Sequence, residues 1–452
     1  MKTFDKNEQL GALKALLSTH VFSDEVNSEI DRFPSQTIIG LGQGGGRIAA
    51  ELARFGFPTY LLNSSKSDME EHRKLIPEDK RIVTKSAEFP ELEGTDKNAQ
   101  LGYQIAVENK EIYKQVALSD DVQNAEFVWV TVSLGGGTGN GALKVALTYL
   151  YQVRKARALF GGKIPLGVIC SLPSTEEKGS SFRQNALAGI ALIQQFMNEG
   201  KIGNTLVIDN EKMNDYYANS PLKTYNGTEI DAKSYSNMVV ASILAEISTI
   251  PLLEGRSVFD KTELLTTLST PGWLSISKVK EISVDDNLED KIYNLYKENE
   301  VLADYEFEHA LTGAIAILYP NAKNISPRIA DDVYKYSSEL LKTKVNLSIS
   351  KNSKLDELTL YGLSVLSTPS SRISQLQEEK AQWERIEKEQ EEAKKQASSS
   401  LGLDEFDDFF SAKIGSTRKK ASLTDLDDDF DTSDDNNDNI KVKAADLDDI
   451  DF

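Results

Sequence analysis

Residues 134–141 read Leu-Gly-Gly-Gly-Thr-Gly-Asn-Gly and follow closely on the apolar run Val128-Trp129-Val130-Thr131-Val132. Gly135, Gly136, Gly137, Gly139 and Gly141 surround Thr138 and Asn140. Each ordered glycine costs backbone entropy, so a cluster needs a purpose. Close approach of main-chain N–H groups to an anion supplies one, with the Thr138 hydroxyl at the centre. A helix expected from Ala142, with Leu143, Ala146, Leu147 and Leu150 on one side, adds the positive end of its dipole. A flexible surface loop is the plain alternative. The strand before and the apolar helix pattern after argue against it.

A second glycine segment, Gly40-Leu41-Gly42-Gln43-Gly44-Gly45, lies between the strand pattern Thr37-Ile38-Ile39 and a helix pattern at Ile48, Ala49, Leu52 and Ala53. It satisfies G-x-G-x-x-G, which alone suggests an NAD-type dinucleotide-binding oxidoreductase. Two observations oppose that. The next strand, Tyr60-Leu61-Leu62, ends in Asn63-Ser64-Ser65 rather than in the acid that grips an adenosine ribose. A dinucleotide site also has no use for a second glycine loop. Two such loops on neighbouring strand ends suit a run of phosphates gripped from two sides. G-x-x-x-x-G-K-[ST] does not occur, so this is not a P-loop enzyme.

The elements that position these loops follow from periodicity. Strands at 37–39, 60–62, 82–83, 127–132, 166–172 and 205–208 alternate with helix patterns, including 103–118 and 182–199. That alternation predicts an α/β fold with a doubly wound parallel sheet and a ligand face at the carboxyl ends of its strands. A long central helix is expected at 235–254, then a smaller α+β domain to residue 370. A charged helix follows at 371–397, with Ile373, Leu376, Trp383 and Ile386 as a packing stripe. A short N-terminal helix fits 6–30.

Composition bounds the function. At 452 residues there is room for two or three cores. No apolar run is read as long enough to span a bilayer, and the charged N-terminus does not read as a secretion signal. Cys170 is the single cysteine, which fits a reducing cytoplasm. With His20, His72 and His309 far apart, no protein metal site is expected. Residues 401–452 hold 16 Asp and Glu against 6 Lys and Arg, which places −10 there and −10 on the other 400 residues of the −20 total. That balance excludes a general nucleic-acid binder. The tail repeats an acidic-apolar pattern at Glu405–Phe410, Asp425–Phe430 and Asp446–Phe452. It is either a solubilising tail or a set of short docking motifs gaining avidity from linkage.

The glycine signature resembles that of the tubulin/FtsZ superfamily, usually Gly-Gly-Gly-Thr-Gly-[Ser/Thr]-Gly. Ile208-Asp209-Asn210, Tyr235-Ser236-Asn237, Phe259-Asp260 and Ser269-Thr270-Pro271-Gly272 follow in the order of the plasmid and phage branch, TubZ. The resemblance covers roughly residues 36–370. It implies an N-terminal extension (1–34), a GTP-binding domain (35–234), the central helix and a catalytic loop (235–260), an α+β domain (261–370), a C-terminal helix (371–397) and a disordered acidic tail (398–452).

It also implies site roles. Gly42, Gln43, Gly44 and Gly45 lie against the α- and β-phosphates. Asn63 and Ser64 stand near the phosphates or Mg2+, which is bound mainly through the nucleotide. Gly94 and Asn98 belong to a loop that senses the γ-phosphate. Gly135, Gly136, Gly137, Thr138, Gly139, Asn140 and Gly141 cradle the β- and γ-phosphates. Glu176 or Glu177 meets the ribose, and Arg183 the phosphate or ribose side. Asn210 and Asn237 read the guanine edge. Asp260 and Glu263 are catalytic, acting on GTP held by a neighbouring subunit and leaving GDP. The expected partners are the chain itself, as a homopolymer, and a DNA-binding adaptor at the tail. Neither membrane insertion nor direct nucleic-acid binding is expected. Val258 stands where the cell-division branch has Asn, which weighs against an FtsZ-like division role. A non-hydrolysing nucleotide sensor is opposed by Asp260 and Glu263.

Overall fold

The computed structural model describes residues 32–400 apart from 220, 222–226, 228, 254, 258, 284–286, 298–302, 321–326 and 353–355. The expected N-terminal helix, the acidic tail with its repeats, and Val258 lie outside the described residues.

The first half alternates as expected: β1 (Gln36–Leu41), α1 (Gly42–Ala53), β2 (Thr59–Asn63), α2 (Lys66–Glu70), β3 (Arg81–Val83), α3 (Ala99–Glu108), α4 (Lys110–Ala117), α5 (Asp120–Asn124), β4 (Phe127–Ser133), α6 (Thr138–Arg154), β5 (Leu166–Leu172), α7 (Ser180–Asn198), β6 (Asn204–Asp209) and α8 (Asn210–Asn219). The six strands are parallel, in the order β3-β2-β1-β4-β5-β6. β1, β2, β5 and β6 are buried along their whole length, because helices cover both faces and alternate side chains enter different cores. Ile38, Trp129 and Leu206 join one core; Ile39, Val130 and Val207 join the other. The strand order reverses between β1 and β4, so a crevice opens at the carboxyl ends of those two strands.

The second half contains α9 (Ala232–Thr249), β7 (Gly255–Ser257), α10 (Lys261–Leu268), β8 (Gly272–Ile282), α11 (Leu288–Lys297), β9 (Ala310–Pro320), α12 (Pro327–Leu341), β10 (Val345–Asn352), β11 (Leu358–Leu366) and α13 (Arg372–Ser400). Its strands continue the same sheet in the order β8-β11-β9-β10-β7. The join is short and parallel: Asn204, Thr205 and Leu206 of β6 face Gly272, Trp273 and Leu274 of β8.

Three expectations change in detail, and one feature went unforeseen. The stretch Ala232–Leu252 is apolar and long enough by composition to cross a bilayer, contrary to the sequence reading. Its apolar window is 78% buried, as befits a core helix. The helices after β1 and β4 start at Gly42 and Thr138, so most residues read as glycine loop form first helical turns. The packing stripe on α13 ends early: Leu376 is fully buried, but Ile386 is 40% exposed. Lastly, α9 carries a buried acid in its apolar body. Glu246 accepts from Tyr361 Oη at 2.5 Å on β11, from Ser242 Oγ at 3.2 Å and from the Lys278 ammonium on β8. Burial, then the adjacent Glu246 charge, pushes the Tyr361 hydroxyl well above its ordinary pKa.

Where β1 and β4 end, main chain meets main chain. A Cβ added at Gly45 would sit 2.2 Å from the Thr131 carbonyl oxygen, and one at Gly139 2.4 Å from that of Leu41. At Gly137 it would meet Thr95 Oγ1 at 2.1 Å, and at Gly141 the Ala99 carbonyl at 2.4 Å. Gly42 has φ +64° as well, the left-handed region that favours glycine. Gly136 differs, since its nearest neighbour would be the Ser133 carbonyl at 3.7 Å.

Two outcomes follow for stability in urea. Gly139→Ala is expected to destabilise by about 1–3 kcal/mol through overpacking against fixed backbone, and Gly136→Ala by well under ~1 kcal/mol. Lys278→Met, which strands the Glu246 carboxylate, is expected to cost about 3–5 kcal/mol, more than the double change Lys278→Met with Glu246→Met.

Candidate functional site

The crevice at the ends of β1 and β4 is lined by the amino ends of α1 and α6. Neither helix has a side-chain cap, and neither has an acid in its first turn. By contrast α2, α3, α9 and α10 are capped by Ser65, Asn98, Asp231 and Asp260. First-turn N–H groups lack intrahelical partners, and the helix dipole adds partial positive charge. Two such ends side by side form an anion site of backbone donors. The Thr131 hydroxyl donates to the Gly45 carbonyl at 2.7 Å, which fixes the first turn of α1 on β4.

Hydroxyls gather at the centre. Thr138 Oγ1 lies 3.1 Å from Ser64 Oγ and 3.3 Å from Thr95 Oγ1. These three residues come from the end of β2, the start of α6 and the loop before α3. A carboxylate stands beside them: Asp68 accepts from Gln43 Nε2 at 2.9 Å and from Asn63 Nδ2 at 3.1 Å. Thus Gln43, Asn63, Ser64 and Thr138 are brought together. Thr95 and Asp68 were missed, because neither sits in a recognisable spacing.

The loop before α3 carries positive φ at Gly94 (+85°), Asp96 (+43°) and Lys97 (+64°). Asn98 is exposed and caps α3, accepting from Leu101 N at 3.0 Å. A further missed residue, Asn185 on α7, ties this loop to the glycine segment. Its amide donates to the carbonyls of Lys97 (2.7 Å), Gly135 (3.2 Å) and Gly136 (3.4 Å). Asn140, expected in the cradle, is 7% exposed and donates to the Asn185 carbonyl at 2.7 Å. It therefore braces α6 on α7.

The loop after β5 brings Glu176 and Glu177 to the same end of the sheet. Glu176 is exposed. Glu177 accepts from Ser174 N at 3.0 Å and pairs with Lys233 at 3.2 Å. Arg183 departs from expectation. Fully buried, it pairs with Glu379 at 2.9 Å and donates to the carbonyls of Ser174 (2.9 Å) and Glu177. All three guanidinium nitrogens are thereby engaged, so it holds the loop instead of reaching a phosphate. Asn210 opens α8, just after β6, and Asn237 lies in α9; they are 6% and 9% exposed. These helices pack together, with the Tyr217 and Tyr235 rings 5.0 Å apart. Burial lifts the neighbouring Asp209 carboxyl to about 6, against the pull of Arg372.

Asp260 and Glu263 are placed elsewhere. They form a reciprocal capping box on α10: Glu263 N donates to Asp260 Oδ1 at 2.8 Å, and Asp260 N to Glu263 Oε2 at 3.2 Å. Adjacent Lys261 reaches Glu126 at 2.7 Å, immediately before β4 begins. Thr138 follows the other end of β4. Seven strand residues, at about 3.3 Å each, separate those ends by roughly 20 Å. Within one chain, the acidic pair and the hydroxyl cluster occupy opposite poles of the sheet.

No family model matches the chain. A tubulin-like protein TubZ of Bacillus cereus is 28% identical over 323 residues, spanning 66% of this chain and 68% of that protein. A tubulin-like protein CetZ of Thermococcus kodakarensis is 24% identical over 288 residues, spanning 63% and 69%. Among solved structures, a GTPγS-form protofilament of Bacillus thuringiensis serovar israelensis TubZ superposes with TM-score 0.65 at 20% identity, covering 82% of this chain and 99% of that one. With the two glycine-built helix ends and the sheet order, these likenesses make the chain similar to the tubulin-like proteins TubZ and CetZ and give it a tubulin-like fold.

Proposed function

We propose that the chain is a GTPase that assembles head to tail into filaments and hydrolyses GTP between subunits. One observation carries this reading. The anion cradle and the acidic pair lie at opposite poles of one sheet, so they meet only when the α10 pole of one copy sits on the cradle of the next. A contact of that kind is heterologous and repeats without closing, which gives a filament. The similar TubZ and CetZ proteins, and the TubZ protofilament structure, support the same reading.

In this reading, N–H groups of Gly42–Gly45 in the first turn of α1, and of the glycine segment 135–139 that leads into α6, hold the phosphates, and Thr138 donates its hydroxyl to the terminal pair. Gly94 and the Asn98 loop sense the γ-phosphate through Thr95. Asn210 and Asn237 read guanine, since an amide both donates and accepts. Glu176 or Glu177 meets the ribose. Mg2+ fits here only through the nucleotide: the cradle offers hydroxyls and the Asp68 carboxylate, and no group of three His, Cys, Asp or Glu could hold a metal among the described residues. When bound, it neutralises charge on the phosphates. Asp260 and Glu263 each commit one oxygen to the capping box and keep a second as an acceptor. From the adjoining subunit those oxygens orient the attacking water, since phosphoryl transfer rests on positioning and charge.

Pelleting and phosphate release with GTP test this. Wild type and Asp260→Ala are both expected to form filaments, and Asp260→Ala to lose turnover. Equal phosphate release from the two would remove Asp260 from the mechanism. The cellular role that fits is positioning of plasmid or phage DNA in the cytoplasm through an adaptor. The acidic repeats of residues 401–452 suit a basic adaptor surface better than DNA. Deleting 401–452 should abolish adaptor binding and leave GTP-dependent pelleting intact; unchanged adaptor binding would overturn the role given to the tail.

A further inference from the structure

The loop after β5 is held from outside, by the C-terminal helix. Arg183 in the first turn of α7 and Arg372 at the start of α13 are 0% and 2% exposed, and both converge on Glu379 of α13. Arg183 Nη2 donates to the Ser174 carbonyl at 2.9 Å, and Nη1 donates to that of Glu177. Arg372 Nη2 donates to the Pro173 carbonyl at 2.9 Å, and its Nε lies 3.4 Å from Asp209 at the end of β6. About two turns further along α13, Glu387 accepts from Ser180 N at 2.8 Å and from Ser180 Oγ at 2.6 Å. It fills the cap of α7 that Gly179, at φ +107°, leaves without a side chain.

The electrostatics make Glu379 the hinge pin. Two buried guanidinium groups need compensating charge, and carbonyl oxygens supply only part of it. Arg372 has Asp209 as a second anion; Arg183 has Glu379. Removing that carboxylate leaves Arg183 facing carbonyls alone, in the same loop that carries Glu176 and Glu177. The loop and α13 are then free to part.

We propose that α13 is a clasp on the nucleotide site, with Glu379 as a positioning residue that sets the 173–179 loop through Arg183 and Arg372. Nucleotide binding and the docking of α13 on α7 therefore favour each other, as linked equilibria must. This inference rests on the reading that the loop meets the ribose of GTP. It gives the C-terminal helix, and whatever engages the chain beyond it, a direct hold on nucleotide affinity.

The test uses the full chain and fluorescent mant-GTP. Glu379→Gln is expected to weaken binding about tenfold, in the ordinary range of coupling between sites. Glu391→Gln, a change on the exposed far part of α13, should bind as wild type does. In a second arm, trypsin cuts α13 at Lys380, Arg385 and Lys388. GTPγS should slow that cleavage in wild type and not in Glu379→Gln, which a merely structural role for Glu379 does not require. Should Glu379→Gln fail to fold, Arg372→Lys keeps the charge, loses the second fork and carries the same comparison. Wild-type binding with an equally tight, equally protected Glu379→Gln overturns the clasp alone. Failure of wild type to bind mant-GTP overturns the nucleotide reading, and the clasp with it.

Discussion

The approach of two main chains, without intervening side chains, governs the ligand end of this molecule. β1 and β4 lie side by side, and the helices that follow them start at once. Their first turns must then share the space above two strands about 4.8 Å apart. A Cβ on Gly42, Gly45 or Gly139 would collide with backbone atoms at 2.2–2.7 Å. Glycine is therefore demanded by packing before any ligand is considered. The same closeness leaves two uncapped helix ends pointing into one crevice, and that is what makes an anion site. Structure and function are met by one constraint at these three positions, whereas Gly136 and Gly46 are sterically unforced.

Everything else at that pole is arranged around this contact. Ser64, Thr95 and Thr138 bring hydroxyls from three separate segments, and Asn185 ties the glycine turn to the loop before α3. Behind them, the buried arginines of α7 and α13 set the loop after β5. The Glu246–Lys278–Tyr361 group, deep between α9 and the second half of the sheet, fixes the central helix against β8 and β11. The length of β4 separates the two poles. That separation is the physical basis for proposing a site shared between copies.

Much of this was legible without coordinates. Apolar strand runs flanked by helix periodicity predicted the parallel α/β sheet, because burial on both faces writes a continuous apolar signature. The two glycine segments marked the ligand end, because few other contexts tolerate so many glycines in ordered chain. Helix starts were misplaced by up to four residues at Thr138, since glycine in a first helical turn reads as loop. The span-length apolar stretch of α9 also passed unnoticed, because Glu246 and scattered polar residues dilute it.

Roles that depend on where a side chain reaches were less legible. Residue order could mark Arg183, Asn140, Asp260 and Glu263 as candidates, but not what each would touch. The fold spends Arg183 on Glu379, 196 residues away in sequence, and Asn140 on α7. It sets Asp260 at the far pole from Thr138, because β8 enters the sheet beside the amino end of β6. Local sequence determined the elements and the glycine cradle, since propensity, burial period and backbone sterics act over a few residues. Tertiary structure alone decided the partners of the buried charges and the separation of the acidic pair from the hydroxyl cluster, since both arise from chain segments that only the folded sheet brings together or holds apart.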